Sequence, residues 1–367
     1  MVARPFLSFL TAISICLVGC DSGTDPFAGG GGPTECTLAG GICLDDLLAR
    51  PEQFEIDLIR SQWDQRDVDN VARYSYTALD EQTQPDGVRL TVLEGRVDGE
   101  VVHYGLVRVP PADVTARPSI LLVLQEAGSG VSEFDLLTDS RYEEVADRFI
   151  QVLVAYRGET LMALGQTYTS TAASSVYDQD VDDALGLLRA AIGRNPAAKN
   201  DEVAIYGFGR GGTVGLLAAL RTPVPSTAYT IQGVVDLAGF TDYQTTSFRT
   251  VVTNLLEDRS SSFPGSAFLA EEVFDPLRTG AIPLSAARSA LIRRSPNVFI
   301  TTFPPTFMRH GTDDNAVNQL QSDRLFQSLL ENPLGEVSYE TVEGAGHDDV
   351  PTLSSIQNAI RSFLLDL

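Results

Sequence analysis

Short apolar runs alternate with amphipathic segments along most of this chain, and this alternation constrains the fold more than any other feature. Uninterrupted apolar runs of this length are typical of strands buried on both faces of a sheet. We interpret six runs as such strands: 120–124, 150–154, 203–206, 234–235, 298–302 and 307–309. Helical periods lie between and after them at 143–149, 181–192, 213–220, 323–330 and 355–365. The pattern predicts an α/β fold with a mostly parallel central sheet flanked by helices.

Two other regions differ from this alternation. Segments 74–77, 88–92 and 101–109 alternate polar and apolar residues, which predicts an antiparallel lead-in at the N-terminal side of the sheet. Residues 241–294 lack strand-like runs and carry short helical pieces, so we expect a helical insertion, or lid, over one edge of the sheet.

Strand, tight-turn and helix signals coincide at residues 201–220, DEVAIYGFGRGGTVGLLAAL. The turn, Gly207-Phe208-Gly209-Arg210-Gly211, resembles the G-x-S-x-G nucleophile elbow of α/β-hydrolases. In that elbow, small residues two positions before and after the nucleophile let the backbone turn sharply. The central position here is Gly209, which leaves the nucleophile position vacant.

Two downstream segments resemble the remaining parts of a hydrolase triad, in that family's chain order. RHGTDDNAV, residues 309–317, resembles the HGxxDxxV segment and implies Asp314 as the triad acid, with Asp313 as the fallback. GAGHD, residues 344–348, resembles the loop that carries the catalytic histidine and implies His347. An acid that orients a histidine and stabilises its imidazolium form meets the physical need of such a triad.

Upstream, Gln125-Glu126 follows the first buried strand, and its spacing resembles the dienelactone hydrolase family. The resemblance implies that Glu126 lies beside the nucleophile position. It also implies an oxyanion hole built from backbone N–H groups of Arg210 and of Glu126 or Ala127. Residues 155–158, AYRG, resemble a turn of prolyl-oligopeptidase-like hydrolases.

Other candidate side chains have simpler interpretations. His310 precedes a turn glycine, and we expect it to be structural. His103 lies in an alternating strand and is interpreted as a surface or strand-packing residue. Ser129 and Thr213 are hydroxyls near the elbow in sequence, but neither occupies its apex, so we also expect them to be structural.

Three functional hypotheses follow from these motifs. The first is a pseudo-hydrolase, or a much weakened ester or peptide hydrolase, because Gly209 cannot attack a carbonyl. The second is an active esterase or peptidase in which His347 and Asp314 activate a water in the space left at Gly209, with Glu126 as an extra carboxylate. The third is a dinucleotide-binding protein, because Gly207-x-Gly209-x-x-Gly212 matches that fingerprint and Asp236 ends the next apolar run.

The N-terminal segment indicates export and lipidation. Residues 6–18 form an apolar run shorter than a membrane span needs, and Leu17-Val18-Gly19-Cys20 resembles the lipobox of bacterial lipoproteins. The resemblance implies a signal peptide at 1–19 and a diacylglycerol on Cys20. We expect a flexible tether at 20–33 and one hydrolase-type domain at 34–367. The expected location is the bacterial cell envelope, with inner and outer membrane left open.

Composition limits the partners. The chain has 49 Asp+Glu against 26 Lys+Arg, a formal net charge of −23, which disfavours nucleic-acid binding. Cys36 and Cys43 are close in sequence and in an exported protein predict a disulfide. With three histidines in 367 residues we expect no metal site, and we expect no cofactor. The expected partners are a small-molecule or peptide carbonyl ligand and the lipid bilayer through acylated Cys20.

Overall fold

A computed structural model of the chain describes residues 36–66, 73–126, 128, 130–222, 229–300, 303–331 and 335–367. Residues 37–367 form one compact unit. The predicted signal peptide, the tether and Cys20 lie outside the described residues, as do Ala127 and Ser129. No helix in the described part is long and apolar enough to cross a membrane.

The described strands, in chain order, are β1 Leu38–Ala39, β2 Ile42–Cys43, β3 Tyr74–Thr83, β4 Arg89–Val97, β5 Glu100–Val109, β6 Ser119–Leu124, β7 Val131–Ser132, β8 Phe149–Ala155, β9 Thr160–Ala163, β10 Gln166–Thr169, β11 Val203–Phe208, β12 Ile231–Leu237, β13 Thr306–Gly311 and β14 Val337–Val342. The described α-helices are α1 Leu44–Leu47, α2 Gln53–Arg66, α3 Glu143–Arg148, α4 Gln179–Arg194, α5 Arg210–Arg221, α6 Thr246–Leu256, α7 Ser266–Leu269, α8 Asp275–Arg278, α9 Leu284–Arg293, α10 Leu320–Glu331 and α11 Ser354–Asp366. Short 3₁₀ helices at Glu133–Asp135, Pro296–Phe299 and Val350–Thr352, and a π-helix at Ala270–Phe274, complete these elements.

Nine strands form the main sheet, in the order β14-β13-β12-β11-β6-β8-β5-β4-β3. The strands from β8 to β14 in this order pair in parallel, whereas β3, β4 and β5 pair antiparallel and join the sheet through β8. This confirms both the parallel centre and the antiparallel lead-in. The strands β7, β9 and β10 form a separate small sheet, and β1 pairs with β2.

Both faces of the central strands are covered, which explains their uninterrupted apolar sequences. Along β6, Leu122 and Leu124 point into one apolar cluster, and Leu121 and Val123 point into another on the opposite face. Alternation of side chains across a strand produces this division. All six residues of β6 and of β11 are buried, so the two strands that lead to the candidate site lie in the core of the sheet.

One predicted strand is wrong. Residues 298–302 were expected to be extended, but Pro296–Phe299 forms a 3₁₀ helix, and residues 301 and 302 lie outside the described residues. Pro296 stands at the start of this helix, where its fixed φ suits a helical turn. Residues 241–294 contain helices α6 to α9 and the π-helix.

Candidate active site

The elbow lies between β11 and α5, at the carboxyl end of β11, next to the central strand β6 of the main sheet. Gly209 has φ +52° and ψ −116°, a conformation that glycine adopts far more readily than other residues. Gly207 and Gly211 must also be glycines, because backbone atoms occupy the space that a side chain would need. A Cβ on Gly207 would lie 2.4 Å from Gly211 O, and one on Gly211 would lie 2.0 Å from Leu124 O. The local sequence therefore builds a sharp nucleophile-type elbow that presents no side chain at its apex.

Asp314 and His347 meet beside this apex. His347 Nδ1 lies 2.6 Å from Asp314 Oδ2, and the Asp314 carboxylate also accepts hydrogen bonds from the backbone N–H groups of Ala316 and Val317. Asp314 is buried, whereas its sequence neighbour Asp313 is exposed. The pairing favours Asp314 over Asp313 as the acid partner of His347.

Glu126 fills the space in which a nucleophile's side chain would stand. A Cβ placed on Gly209 would lie 1.7 Å from Glu126 Oε2 and 3.0 Å from His347 Nε2. Glu126 Oε2 also accepts a hydrogen bond from the backbone N–H of Arg210, at 2.6 Å. Sequence reasoning expected this N–H to be an oxyanion-hole donor. The second hypothesis placed a water in this space, where the structure has a carboxylate of the chain itself.

Two carboxylates control the charge of His347. Its Nδ1 bonds Asp314, and its Nε2 lies 3.6 Å from Glu126 Oε2, which is too long for a hydrogen bond but close enough for strong attraction. Burial lowers the pKa of His347, but Asp314 and Glu126 outweigh burial and raise that pKa to about 9. Burial likewise raises the pKa of Asp314, and hydrogen bonds from His310 and His347 reverse this and hold it well below its usual range. At neutral pH the pair is therefore an imidazolium–carboxylate ion pair.

The Arg210 side chain, one residue after the apex of the elbow, is bound by two buried acidic residues. Its guanidinium binds Asp180 through two hydrogen bonds of 2.8 Å and Glu159 through one of 2.6 Å, and it lies over the Tyr156 ring. Glu159 Oε2 and the Tyr156 hydroxyl are buried without a described hydrogen-bond partner. Burial is the largest cause that raises the pKa of Glu159, to about 7. Sequence reasoning missed Asp180 and Glu159. Asp180 lies in an acid-rich segment, residues 178–183, whereas Glu159 is the only acidic residue between Asp147 and Asp178.

The remaining histidines and Thr213 are buried. His310 lies between Ser322 Oγ and Val317 O, each at 2.7 Å, and its Nε2 is 3.3 Å from Asp314 Oδ2, so it supports the acid. His103 is buried and lies 3.1 Å from the Tyr76 hydroxyl, so of its two interpretations strand packing is right and a surface position is wrong. Thr213 is fully buried in α5.

The geometry opposes the dinucleotide hypothesis. Asp236 is fully buried and accepts a hydrogen bond from the Gly239 N–H, so it is unable to reach a ribose. Dinucleotide-binding proteins place the pyrophosphate at the helix N-terminus, but the Glu126 carboxylate already occupies the start of α5. The dinucleotide hypothesis is therefore wrong for this turn.

Within the described ranges, one group of metal-ligand side chains is close enough to share an ion: Cys36, Cys43 and Asp45. The two cysteines are joined in a disulfide, which confirms the predicted pairing. Their sulfurs are therefore not available as thiolate ligands.

The strand–turn–helix at Gly209, with Asp314 and His347 following it along the chain and meeting beside it, is the arrangement of the α/β-hydrolase fold. Comparisons with known proteins support this class. No protein-family model and no curated protein sequence matches the chain. Solved structures do match, and the similarity establishes the fold alone.

Two matched structures are acetyl xylan esterases. Acetyl xylan esterase 1 from Thermoanaerobacterium sp. JW/SL YS485 is 15% identical, with a TM-score of 0.57 over 89% of this chain and 98% of that one. The enzyme from Paenibacillus sp. R4 is 12% identical, with the same TM-score over 88% and 98%. An acylaminoacyl peptidase is 11% identical, with a TM-score of 0.51 over 79% of this chain and 49% of that one. The chain thus has the α/β-hydrolase fold, and its structural neighbours are esterases and peptidases.

Proposed function

We propose that this protein is a pseudo-hydrolase toward esters and peptides: a hydrolase-fold protein of the bacterial cell envelope that has lost acyl-enzyme chemistry at its elbow. One observation carries the proposal. The Glu126 carboxylate stands where the nucleophile of an active relative would stand, and it binds the Arg210 N–H that would otherwise stabilise an oxyanion. Both the attacking group and one oxyanion-hole donor are therefore lost to catalysis of acyl transfer.

Electrostatics support the same proposal. A general base must be unprotonated to accept a proton, but the pKa of about 9 keeps His347 protonated at neutral pH. Loss of the nucleophile from a triad leaves on the order of 10³–10⁴-fold acceleration over water in enzymes that retain an open oxyanion hole. Here the hole is occupied as well, so we expect even less residual activity.

The test restores a nucleophile in two steps. Gly209→Ser alone collides with Glu126, so we expect it to give no labelling by a fluorophosphonate probe and no hydrolysis of 4-nitrophenyl acetate. Gly209→Ser with Glu126→Ala clears the position and frees the Arg210 N–H, so we expect probe labelling at residue 209. Glu126→Gln with Gly209→Ser is the matched control, because glutamine keeps the volume and should stay unreactive.

An active wild-type esterase is the competing candidate, and the intact Asp314–His347 pair is the observation in its favour. It requires 4-nitrophenyl acetate hydrolysis by the wild type that His347→Ala abolishes. Equal, background rates for both proteins support the pseudo-hydrolase. A His347-dependent rate well above background would contradict it.

Ligand and membrane attachment are parts of the same proposal. A small-molecule or peptide carbonyl would have to displace Glu126 from the Arg210 N–H, so we expect a capped dipeptide amide to bind Glu126→Ala more tightly than wild type in calorimetry. Attachment through Cys20 predicts incorporation of radiolabelled palmitate in a bacterial host. Cys20→Ser should abolish this labelling, and Cys16→Ser is the matched control that should retain it.

A further inference from the structure

We infer that Glu126 is itself a nucleophile, directed at saturated carbon, and that the site hydrolyses small epoxides through a glutamyl ester. This activity lies beyond the proposed loss of ester and peptide hydrolysis and is measured separately from it. The inference begins with position. Glu126 Oε2 stands about one bond length from the Cβ that a residue at the elbow apex would carry, and so occupies the region of a nucleophilic hydroxyl.

The two oxygens of this carboxylate have different surroundings. Among the described residues, the backbone N–H of Arg210 donates the hydrogen bond that holds Oε2. Oε1 receives no hydrogen bond from these residues. Since 23% of the Glu126 side chain is exposed, a small molecule can reach the carboxylate. A carboxylate held at one oxygen and free at the other is oriented to attack with the free one.

His347 faces the same space with a proton available. Its Nε2 is buried, has no described hydrogen-bond partner and lies 3.6 Å from Glu126 Oε2. Asp314 holds the ring at Nδ1 and stabilises the charge of the imidazolium. The site therefore places a nucleophile and a proton donor side by side, which is what opening of an epoxide ring requires.

In the first step, Glu126 Oε1 attacks a ring carbon and a C–O bond to the ester forms. The ring C–O bond breaks, its electron pair goes to the ring oxygen, and that oxygen takes the proton from His347 Nε2. The products are a hydroxyalkyl ester of Glu126 and a neutral imidazole. Because esterification removes the negative charge of Glu126, it also removes one of the two groups that keep His347 protonated.

In the second step, neutral His347 accepts a proton from a water that attacks the ester carbon of Glu126. The developing oxyanion lies on Oε2, where the Arg210 N–H already stands at hydrogen-bond distance. Collapse of this intermediate expels the alcohol oxygen, which takes the remaining hydroxyl proton. The diol leaves, and the Glu126 carboxylate and the His347 imidazolium are restored.

The same geometry argues for saturated carbon rather than a carbonyl as the target. Attack on a carbonyl places negative charge on the substrate's oxygen, which needs N–H donors of its own. The Arg210 N–H is already bound to Glu126. Ring opening instead places charge on the leaving oxygen, and the His347 proton neutralises it.

The test is a single turnover of styrene oxide by the full chain, purified in detergent, in ¹⁸O-labelled water. Because water attacks the glutamyl carbon, we expect ¹⁸O in the peptide that contains Glu126 and unlabelled oxygen in the first diol released. Because His347 serves in both steps, His347→Ala should slow formation of the ester on Glu126 as well as its hydrolysis, each by about 10²–10⁴-fold. Asp348→Asn, an exposed neighbour of His347, is the matched control that should behave as wild type.

Glu126→Gln keeps the acceptor for the Arg210 N–H but removes the nucleophile, so it should form neither adduct nor diol. The labelling experiment uses the wild type and stays decisive even if a variant folds poorly. Label in the first diol instead of Glu126, adducts on other carboxylates only, or diol formation no faster than with heat-denatured protein would each overturn the inference. Ester hydrolysis by the wild type would contradict the pseudo-hydrolase proposal only. The position of the ¹⁸O label would still decide whether Glu126 is a nucleophile.

Discussion

Gly209→Ala tests the structural basis of the site with one methyl group. Two separate costs are expected. Backbone strain for a side chain at φ +52° and ψ −116° is roughly 1–3 kcal/mol. The added Cβ would lie 1.7 Å from Glu126 Oε2, the far end of a side chain that can turn aside, and the loss of its hydrogen bond from the Arg210 N–H costs roughly 1–3 kcal/mol. The total expected loss in the free energy of unfolding is about 2–6 kcal/mol.

Glu126→Ala separates these two costs in a double-mutant cycle. It removes the group that the new methyl strikes but leaves the backbone angles unchanged. We therefore expect Gly209→Ala to cost about 1–3 kcal/mol less in the Glu126→Ala background than in the wild type, measured by urea unfolding. Gly280→Ala is the matched control, since Gly280 has φ +75° with no atom within 4 Å of an added Cβ.

Gly280→Ala should show the strain cost alone, with no dependence on Glu126. If Gly209→Ala costs the same in both backgrounds, to within about 0.5 kcal/mol, then Glu126 does not occupy the apex in solution. That result would refute the reasoning behind both proposals. A large coupling at Gly209 together with none at Gly280 would support it.

Four further predictions concern charge and covalent links. Asp314→Asn should lower the His347 pKa from about 9, as measured by NMR titration of the imidazole, whereas Asp313→Asn should leave it unchanged. Because that pKa is raised above its usual 6.5, protonated His347 should stabilise the fold by an amount on the order of 3 kcal/mol. This stabilisation should be full below pH 6.5 and disappear as the pH rises through 9. A free energy of unfolding in urea that stays constant across this pH range would contradict the raised pKa. Arg210→Met leaves buried Asp180 and Glu159 without their cation and should cost about 3–5 kcal/mol in the free energy of unfolding, whereas Arg278→Met at an exposed pair should cause little measurable change. Replacing Cys36 and Cys43 by serine should cost about 2–3 kcal/mol in urea unfolding under oxidising conditions, and reduced wild type should match the variant.

The sequence predicts much of this architecture because the evidence for it lies in short apolar runs and in the order of the motifs along the chain. Apolar runs at β6, β8 and β11 mark buried strands without any knowledge of their partners. The motif at Gly209 and the order of Asp314 and His347 place the site, since a parallel sheet brings the carboxyl ends of its strands to one edge. The error at residues 298–302 came from an apolar run whose first two residues, Val298 and Phe299, end a 3₁₀ helix with Phe299 buried.

Side-chain contacts between distant segments were not predictable in the same way. Resemblance placed Glu126 beside the elbow, but its bond to the Arg210 N–H joins residues 84 positions apart and depends on how the loop after β6 packs. The Arg210–Asp180 ion pair spans 30 positions and leaves no periodic signal. Such pairs follow from the folded geometry alone, and they determine what the site does chemically.

The overlap between Glu126 and the apex of the elbow also limits how this protein can evolve. A serine gained at position 209 meets the carboxylate, and loss of the carboxylate alone leaves an apex with no hydroxyl. While Glu126 stays in this position, neither single change yields a serine hydrolase. Recovery of serine chemistry therefore requires both a hydroxyl at position 209 and a Glu126 side chain that is replaced or turned away from the apex.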